Sequence, residues 1–218
     1  MKKINEIVGH NFSDSKLIDS ALTHSSYASD NGVESYERLE YLGDAVLGEV
    51  VAKYLYDNFD VQAGDLSKYR AKLVNAKILA NIVINLGLDK YVKTGRSIHN
   101  ISHNIYADVY ESVLGAIYLD GGDYKQFVMN TLIVDKHNVE SIIDSFTDYK
   151  TTLQELLAKT HTPFEYKVVS SGGDGECAHF DVALVVDGKQ VALCTGKSIK
   201  GAEQNCAKIY INNITKNA

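Results

Sequence analysis

Apolar residues recur at the spacing of α-helices through roughly the first two-thirds of the chain. A serine stands at the start of the segment 13–22, a position typical of a helix cap. Gly87 follows the segment 66–86, where glycine commonly ends a helix. The pattern predicts polar loops over 29–35 and 93–104, and helices over 13–22, 36–57, 66–86, 109–119 and 124–145. We therefore expect an all-α domain here.

The pattern changes near Thr147. Asp187 and Gly188 form a dipeptide typical of a two-residue hairpin turn, and alternating apolar residues lie on both sides of it. The predicted elements are a helix over 148–160, strands over 164–168, 180–186 and 191–195, and a helix over 201–213. This α-β-β-β-α order predicts a small α+β domain. We expect the two domains to cover residues 1–145 and 148–217.

The composition is that of an ordinary globular protein, with 218 residues of which 45% are apolar. No apolar run approaches the ~18 residues of a membrane span, and the N-terminal MKKINEIVGH lacks the apolar stretch of a signal peptide. These features predict a cytoplasmic protein with no membrane partner. Cys177, Cys194 and Cys206 form no metal-binding motif, so we interpret them as reduced thiols.

The net charge of −6 is unusual for a protein that binds nucleic acid, since phosphate binding usually needs a basic surface. Residues 1–147 contain 14 Lys and Arg against 20 Asp and Glu, whereas residues 148–218 contain 8 of each kind. The acidity therefore belongs to the first domain. If the second domain binds nucleic acid, its neutral charge predicts that the binding is weak and salt-sensitive.

Three acids share one face of the helix predicted after Ser35. Glu37, Glu40 and Asp44 are spaced so that, at about 100° per residue, they fall within roughly 60° of one another. The helix is apolar on nearly every other side, which predicts that it is buried rather than amphipathic. Like charges in a poorly hydrated place are unfavourable unless protons or cations compensate them.

A second acidic pair, Asp108 and Glu111, lies three residues apart on another apolar helix. Five carboxylates on two buried helices predict a divalent metal site, because hard cations take oxygen ligands. No Cys or His cluster accompanies them, which argues against zinc. The alternatives are that Glu37 and Glu40 pair with basic side chains and that Asp108 caps a helix. His99 and His103 lie in a predicted polar loop and could suggest a metal site, but we interpret them as solvent-exposed loop residues.

Two motifs identify a family resemblance. ERLEYLGDAVL resembles the signature of the ribonuclease III family, and ADVYESVLGAIYLDGG resembles that family's second acidic motif. Residues from about 148 onward resemble the double-stranded-RNA-binding domain of its bacterial-type members. The resemblance covers essentially the whole chain and implies an all-α nuclease domain followed by the RNA-binding domain.

The resemblance assigns roles to the acids. It implies that Glu40, Asp108 and Glu111 bind Mg²⁺, with Mn²⁺ as an alternative ion and no small-molecule cofactor. Asp44 matches an essential acid next to the metal and is included with the metal-binding acids. Glu37 matches a carboxylate facing RNA, so the catalytic set is Asp44, Glu111 and Glu37.

The chain departs from the family's pattern at some positions. Ala63 stands where a glutamate is common, which leaves open how a second metal is held and whether Asp65 substitutes. Asn104 and Tyr106 replace the usual Ser and Leu before the second acidic motif. Arg70 could contact RNA phosphates, the alternative being a solvated surface charge.

A subunit contact is also implied. Tyr41 matches an aromatic that projects into a cavity of the other subunit, which implies a homodimer, although from the residues alone Tyr41 is a core aromatic. The segment containing Thr23, His24 and Ser25 resembles a family element near this contact. The alternative for His24 is a helix-capping role.

In the second domain the resemblance implies contacts with double-stranded RNA. Thr151, Gln154 and Glu155 share a helix face and match positions that reach the minor groove, where duplex RNA is recognised by shape and 2′-hydroxyls. At the last helix the family's Ser-Lys-Lys-x-Ala-Glu-Gln resembles SIKGAEQ of this chain. Lys200 and Gln204 are kept, Ile199 stands where a lysine is usual, and Lys197 lies nearby. Glu176 stands where a loop histidine is expected. A role in protein contacts is the alternative.

Together these features predict a homodimeric, Mg²⁺-dependent endoribonuclease that cleaves double-stranded RNA in ribosomal and messenger RNA precursors. The resemblance implies 5′-phosphate and 3′-hydroxyl ends with short 3′ overhangs. The alternative is a non-cleaving RNA-binding or ribosome-associated protein that retains the fold. A general metallophosphatase is disfavoured because it has no use for the second domain.

Overall fold

The computed structural model describes residues 2–216 and divides the chain into two compact units, Met1–Phe146 and Thr147–Ala218. The first unit is built from helices and the second from a three-stranded sheet with a helix on either side of it in sequence. The predicted fold class is thereby confirmed. Residue 217, the predicted end of the second domain, lies outside the described residues.

The helices of the first unit follow one another through short connections. They are α1 (Lys2–Val8), α2 (Ser15–Ala21), α3 (Ser25–Asn31), α4 (Glu37–Asn58), α5 (Ala63–Leu73), α6 (Ala76–Leu86), α7 (His103–Leu119), α8 (Tyr124–Val128) and α9 (Lys136–Ser145). A 3₁₀ turn covers Leu88–Tyr91 and a π-helical turn covers Met129–Ile133. Within residues 2–216 there is no helix with the length and hydropathy of a membrane span.

Helix α7 lies at the centre of the first unit and packs mainly against α4 and α6. Its buried residues include Val109, Tyr110, Val113, Leu114 and Ile117. Burial of so many large side chains supplies most of the stabilisation, at about 25 cal/mol per Å² of apolar surface. The central helices are therefore a rigid support for the side chains they carry.

Several predicted boundaries in the first unit are wrong. The single helix predicted over 66–86 is two helices, because the Asn75 side chain accepts a hydrogen bond from the backbone N–H of Lys77 and begins α6. The helix predicted over 124–145 breaks at Val134, and Asp135 caps α9 in the same way. Asp14 rather than a serine caps α2. Helices α1 and α3 were not predicted.

The prediction that α4 is buried on nearly all sides is wrong. Leu39, Leu47 and Val51 are buried, but Tyr41 is 82% and Tyr56 76% exposed. Apolar composition alone does not require burial, and alanine, glycine and tyrosine on one side of this helix face outward. One side of this helix is therefore exposed within one chain.

The second unit has helix α10 (Tyr149–Lys159), strands β1 (Phe164–Gly172), β2 (His179–Val186) and β3 (Lys189–Gly196), and helix α11 (Ile199–Lys216). The strands are antiparallel in the order β1-β2-β3. Asp187 and Gly188 have φ of 48° and 71°, as the predicted hairpin turn requires. The helices cover one side of the sheet with a core that contains Leu153, Leu184 and Cys206.

The three cysteines are free thiols. Cys177 is exposed, whereas Cys194 and Cys206 are buried in the second unit.

Candidate active site

Acids from two distant segments converge in the first unit. Glu40 lies in the first turn of α4, and Asp108 and Glu111 lie on α7. One carboxylate oxygen from each of the three lies within 4.8 Å of the others. The ion pairs found within residues 2–216 do not include these three acids, and oxygen atoms this close together suit a hard divalent cation such as Mg²⁺ or Mn²⁺.

The convergence depends on a close approach of α4 and α7. Gly115 of α7 lies so near α4 that an added Cβ would be 2.3 Å from the backbone oxygen of Leu39, next to Glu40. Only a residue without a side chain allows this spacing. The acids of the two helices are therefore held together by backbone contact rather than by long flexible side chains.

Burial raises the pKa of all three carboxyl groups. Burial, followed by the charges of the neighbouring carboxylates, raises the pKa of Glu111 to about 8. Burial and the charge of Asp108 raise the pKa of Glu40. Burial also raises the pKa of Asp108, although a hydrogen bond from Tyr36 opposes the shift. A bound cation would relieve this repulsion and favour the ionised forms.

The two alternatives for these acids are wrong for the described residues. Asp108 lies inside α7, whose cap is Ser102, so Asp108 is not a helix cap. The ion pairs found within residues 2–216 do not include Glu37 or Glu40.

Tyr36 is a site residue that the sequence did not indicate. Its hydroxyl donates a hydrogen bond to Asp108 Oδ2 at 3.0 Å. The residue precedes α4 and is only 3% exposed. A tyrosine at the start of a helix carries no signal for a partner on another helix, so only the fold reveals the contact.

Asp44 and Glu37 lie beside the three-acid cluster without joining it. Both are exposed, and their charges raise the pKa of Glu111 and Glu40, respectively. Asp44 lines a groove of about 470 Å³ together with Glu49 and Arg70. Arg70 is exposed there, which is compatible both with a contact to RNA phosphates and with a solvated surface charge.

Two of the positions discussed for the family pattern, Ala63 and Asp65, lie at the start of α5, whereas Asn104 and Tyr106 lie in the first turn of α7. Ala63 is exposed and is the first residue of that helix. Asp65 pairs with Lys68 at 3.4 Å and is outside the cluster found within residues 2–216. His99 is in an exposed loop, but His103 begins α7 and is also exposed.

Tyr41 lines a groove on the first unit. The groove has a volume of about 890 Å³ and is lined by Leu17, Arg38, Leu42 and Leu119 as well as Tyr41. The interpretation of Tyr41 as a core aromatic is wrong, since the side chain is 82% exposed.

The capping role of His24 is confirmed. Its Nδ1 accepts a hydrogen bond from the backbone N–H of Ser26 at 3.1 Å and so begins α3. Thr23 is buried, and its hydroxyl donates to the backbone oxygen of Asp19. Ser25 is the first residue of α3.

In the second unit, most of the candidate RNA-binding residues are exposed. Thr151, Gln154 and Glu155 are exposed on α10, and Lys197 and Lys200 are exposed at the start of α11. A groove of about 240 Å³ lies between the two helices and is lined by Thr151, Gln154, Lys200 and Gln204. The side chain of Glu176 is outside the described residues.

Gln204 is occupied within the domain. Its Nε2 donates to Asp148 Oδ1 at 2.7 Å, and its Oε1 accepts from the backbone N–H of Lys150 at 3.2 Å. The Gln204 bond, together with bonds from Thr151, lowers the pKa of Asp148 to about 2. Gln204 thus joins α11 to the beginning of α10.

Two family models match the chain. A model described as ribonuclease-III-like matches residues 14–136, and one described as the double-stranded RNA binding motif matches residues 149–214. The first covers all five acids of the candidate site. The second covers the whole α-β-β-β-α unit except its last residues.

Similar proteins span nearly the whole chain. Ribonuclease 3 of Streptococcus mutans is 37% identical over 220 residues, covering 95% of this chain and 94% of that protein. Ribonuclease 3 of Bdellovibrio bacteriovorus is 37% identical over 218 residues, covering 95% and 93%. A crystal structure of the nuclease domain of ribonuclease III from Campylobacter jejuni is 35% identical, with a TM-score of 0.56, over 62% of this chain and 94% of that one.

Proposed function

The chain belongs to the ribonuclease III family and is an endoribonuclease of that type, and we propose that it cleaves double-stranded RNA with Mg²⁺ bound by Glu40, Asp108 and Glu111. In this proposal residues 1–145 form the nuclease domain and residues 148–217 the RNA-binding domain. The observation that carries it is the cluster in which one oxygen from each acid lies within 4.8 Å of the others.

The residues present fit the ion. Three carboxylates supply hard oxygen ligands. Burial raises the pKa of all three, and repulsion between neighbouring acids adds to the shift at Glu40 and Glu111, so a cation would compensate their charge. When bound, such ions activate water and neutralise charge on a scissile phosphate. Mn²⁺ takes the same oxygen ligands and is expected to substitute.

Asp44 and Glu37 have supporting roles in the proposal. Asp44 is exposed, and its charge contributes to raising the pKa of Glu111; in the proposal it would accept a hydrogen bond from water near the reacting phosphate. Glu37 is exposed at the start of α4 and faces the incoming RNA. The catalytic set is Asp44, Glu111 and Glu37.

A homodimer is part of the proposal. A similar nuclease domain from Campylobacter jejuni, 34% identical with a TM-score of 0.57, is described with a flexible region involved in dimer formation. Here, exposed Tyr41 is one of the residues that line a groove of about 890 Å³, together with Leu17, Leu42 and Leu119. In a two-fold contact, Tyr41 of each subunit would enter the groove of the other.

We propose that the second domain holds duplex RNA through α10 and the start of α11. Thr151, Gln154 and Glu155 would reach the minor groove, and Lys197 and Lys200 the phosphates. Gln204 would also contact RNA, and it supports the position of α10, because both ends of its amide are bonded within the domain. The neutral charge of this region supports salt-sensitive binding.

The proposed substrates are ribosomal and messenger RNA precursors, processed in the cytoplasm. The proposed products carry 5′-phosphate and 3′-hydroxyl ends with short 3′ overhangs.

A cleavage assay tests the function. End-labelled duplex RNA is incubated with wild-type protein, Glu111→Gln and the control Glu140→Gln, which changes an exposed glutamate on α9. We expect cleavage by the wild type and the control only when Mg²⁺ is present. Glu111→Gln should lose nearly all cleavage while it still binds the duplex. Products should accept a new 5′ label only after phosphatase treatment.

The non-cleaving alternative makes a different prediction. A protein that only binds RNA would shift the duplex in a gel and leave it intact at every Mg²⁺ or Mn²⁺ concentration. That result, obtained with folded wild-type protein, would contradict the proposed reaction.

A further inference from the structure

Tyr36 connects the start of α4 to the acidic cluster on α7. The residue is 3% exposed, and its hydroxyl donates to Asp108 Oδ2 at 3.0 Å across 72 residues of sequence. Its side chain makes no capping hydrogen bond to α4, although it stands at the cap position. The hydroxyl is therefore directed to Asp108 rather than to its own helix.

The tyrosine is held at several points. Its backbone N–H donates to the backbone oxygen of Thr23 at 2.9 Å. Its ring meets the ring of His24 edge to face, with centroids 5.6 Å apart. His24 is itself fixed as the cap of α3. The position of the phenolic oxygen is thus set by the segment before α3 as well as by α4.

In this contact a candidate metal ligand, the Asp108 carboxylate, accepts a hydrogen bond from a residue that does not itself bind the metal. A phenol that donates to one carboxylate oxygen fixes the rotation of the carboxylate and favours its ionised form. Carboxylates that bind metals are commonly held by such hydrogen bonds, and loss of the outer partner weakens metal binding. The donated hydrogen leaves the other Asp108 oxygen and further lone pairs available.

We propose that Tyr36 is a positioning residue whose hydroxyl holds the Asp108 carboxylate in the orientation in which it joins Glu40 and Glu111 around a divalent cation. This inference rests on the proposed function, since it concerns the same metal site. It adds a residue from outside the acidic motifs to the machinery of the site.

Tyr110 provides a matched control. It lies on α7, two residues from Asp108, and its side chain is fully buried. Its hydroxyl shares a hydrogen bond of 2.8 Å with Thr131 Oγ1, away from the acidic cluster. Tyr110→Phe therefore removes one buried hydroxyl from the same core without removing a contact to the acids.

The test measures Mn²⁺ binding to the full chain without RNA, from the electron paramagnetic resonance signal of free Mn²⁺. The proteins are the wild type, Tyr36→Phe, Tyr110→Phe and Asp108→Asn, with a thermal melt of each. We expect Tyr36→Phe to raise the Mn²⁺ dissociation constant about tenfold, the usual scale for loss of an outer hydrogen bond. Tyr110→Phe should lower the melting temperature and leave the dissociation constant unchanged.

A second variant separates the hydrogen bond from the ring. Replacing Tyr36 by 4-aminophenylalanine keeps a donor at the same place, so Mn²⁺ affinity should remain within a few-fold of the wild type. If this variant binds as weakly as Asp108→Asn, the hydrogen bond is not the reason for the effect, even where Tyr36→Phe fails to fold.

The outcomes distinguish the inference from the proposed function. Unchanged affinity in folded Tyr36→Phe would remove the positioning role while leaving the metal site in place. Equal weakening in Tyr36→Phe and Tyr110→Phe would show a general loss of stability and also overturn the role. A wild-type protein that does not bind Mn²⁺ would instead contradict the proposed metal site itself.

Discussion

Gly43 of α4 faces the backbone of Glu111 on α7 so closely that an added Cβ would lie 1.8 Å from the Glu111 carbonyl oxygen. No real side-chain atom tolerates that distance, so any other residue would push the two helices apart. The acidic cluster depends on the same helix pair. A single glycine therefore links core packing to the geometry of the active site.

The substitution Gly43→Ala is expected to destabilise the protein by about 3 kcal/mol, at the upper end of the usual cost of overpacking, because the clash is with backbone. It should also weaken Mn²⁺ binding. Gly48→Ala is the control on the same helix, since a Cβ there meets nothing within 4 Å. The control should be neutral or stabilise by up to about 1 kcal/mol through helix propensity. Urea unfolding measures both; equal stability of the two variants would contradict the close approach.

Glu111→Gln should change the pH dependence of stability when divalent ions are absent. Burial and neighbouring charges raise the native pKa of Glu111 to about 8, so the native state holds this proton more tightly than the unfolded chain does. The stability is complete below the unfolded pKa of about 4.5 and is lost as pH rises through about 8. Glutamine does not titrate.

The melting temperature of Glu111→Gln should therefore match that of the wild type near pH 5 and exceed it at pH 9, by roughly 3 °C for each kcal/mol. Thermal melts in EDTA measure this difference, with Glu140→Gln as a control that should stay level with the wild type. Added Mn²⁺ should raise the melting temperature of the wild type and so reduce its difference from Glu111→Gln. A constant offset at every pH would exclude titration of Glu111 as the cause.

Asp148 should stabilise the second unit in the opposite pH range. Hydrogen bonds, from Gln204 first, lower its pKa to about 2, so its contribution is present above the unfolded value near 4 and is lost as pH falls through about 2. Asp148→Ala removes the cap of α10 and should cost about 1 kcal/mol at pH 7. Hydrogen exchange of α10 amides should show a difference from the wild type that shrinks below pH 3 or so. Asp174→Ala, at an exposed position before β2, is the control.

Tyr41→Ala tests the proposed homodimer. Removal of an aromatic that is 82% exposed in one chain should not unfold the subunit, but it should remove a central contact between subunits. Analytical ultracentrifugation should find twice the chain mass of 24.0 kDa for the wild type and a large shift toward that single mass for the variant. Leu193→Ala, which changes an exposed apolar residue of the second unit, should stay dimeric.

Lys200→Ala and Gln204→Ala should have different effects on RNA binding. Lys200 is exposed beside the groove between α10 and α11, and loss of one phosphate contact should reduce the salt slope of duplex binding by about 1. Gln204→Ala should instead lower the stability of the second unit, because it breaks the bonds to Asp148 and Lys150. Dissociation constants across a salt series, together with thermal melts, distinguish the two. An equal change in the salt slope of duplex binding in both variants would show that Gln204 matters for RNA binding as much as Lys200 does.

Local sequence patterns predicted the two-part architecture and the helices that carry the acids. Spacing of three residues placed Asp108 and Glu111 on one helix face, and alternation predicted the three strands. Helix breaks were harder to predict. Apolar residues continue in helical phase through Asn75, and only the capping bond to the backbone of Lys77 shows that a new helix begins there.

Only the tertiary structure decided which groups meet. No local spacing relates Glu40 to Glu111, and their approach depends on α4 and α7 packing backbone to backbone at Gly43 and Gly115. The contact from Tyr36 to Asp108 spans 72 residues and has no signal in either segment. Periodicity reports which side of a helix is apolar but not what covers it, so the sequence determined the chemistry available and the packing of helices decided where that chemistry is assembled.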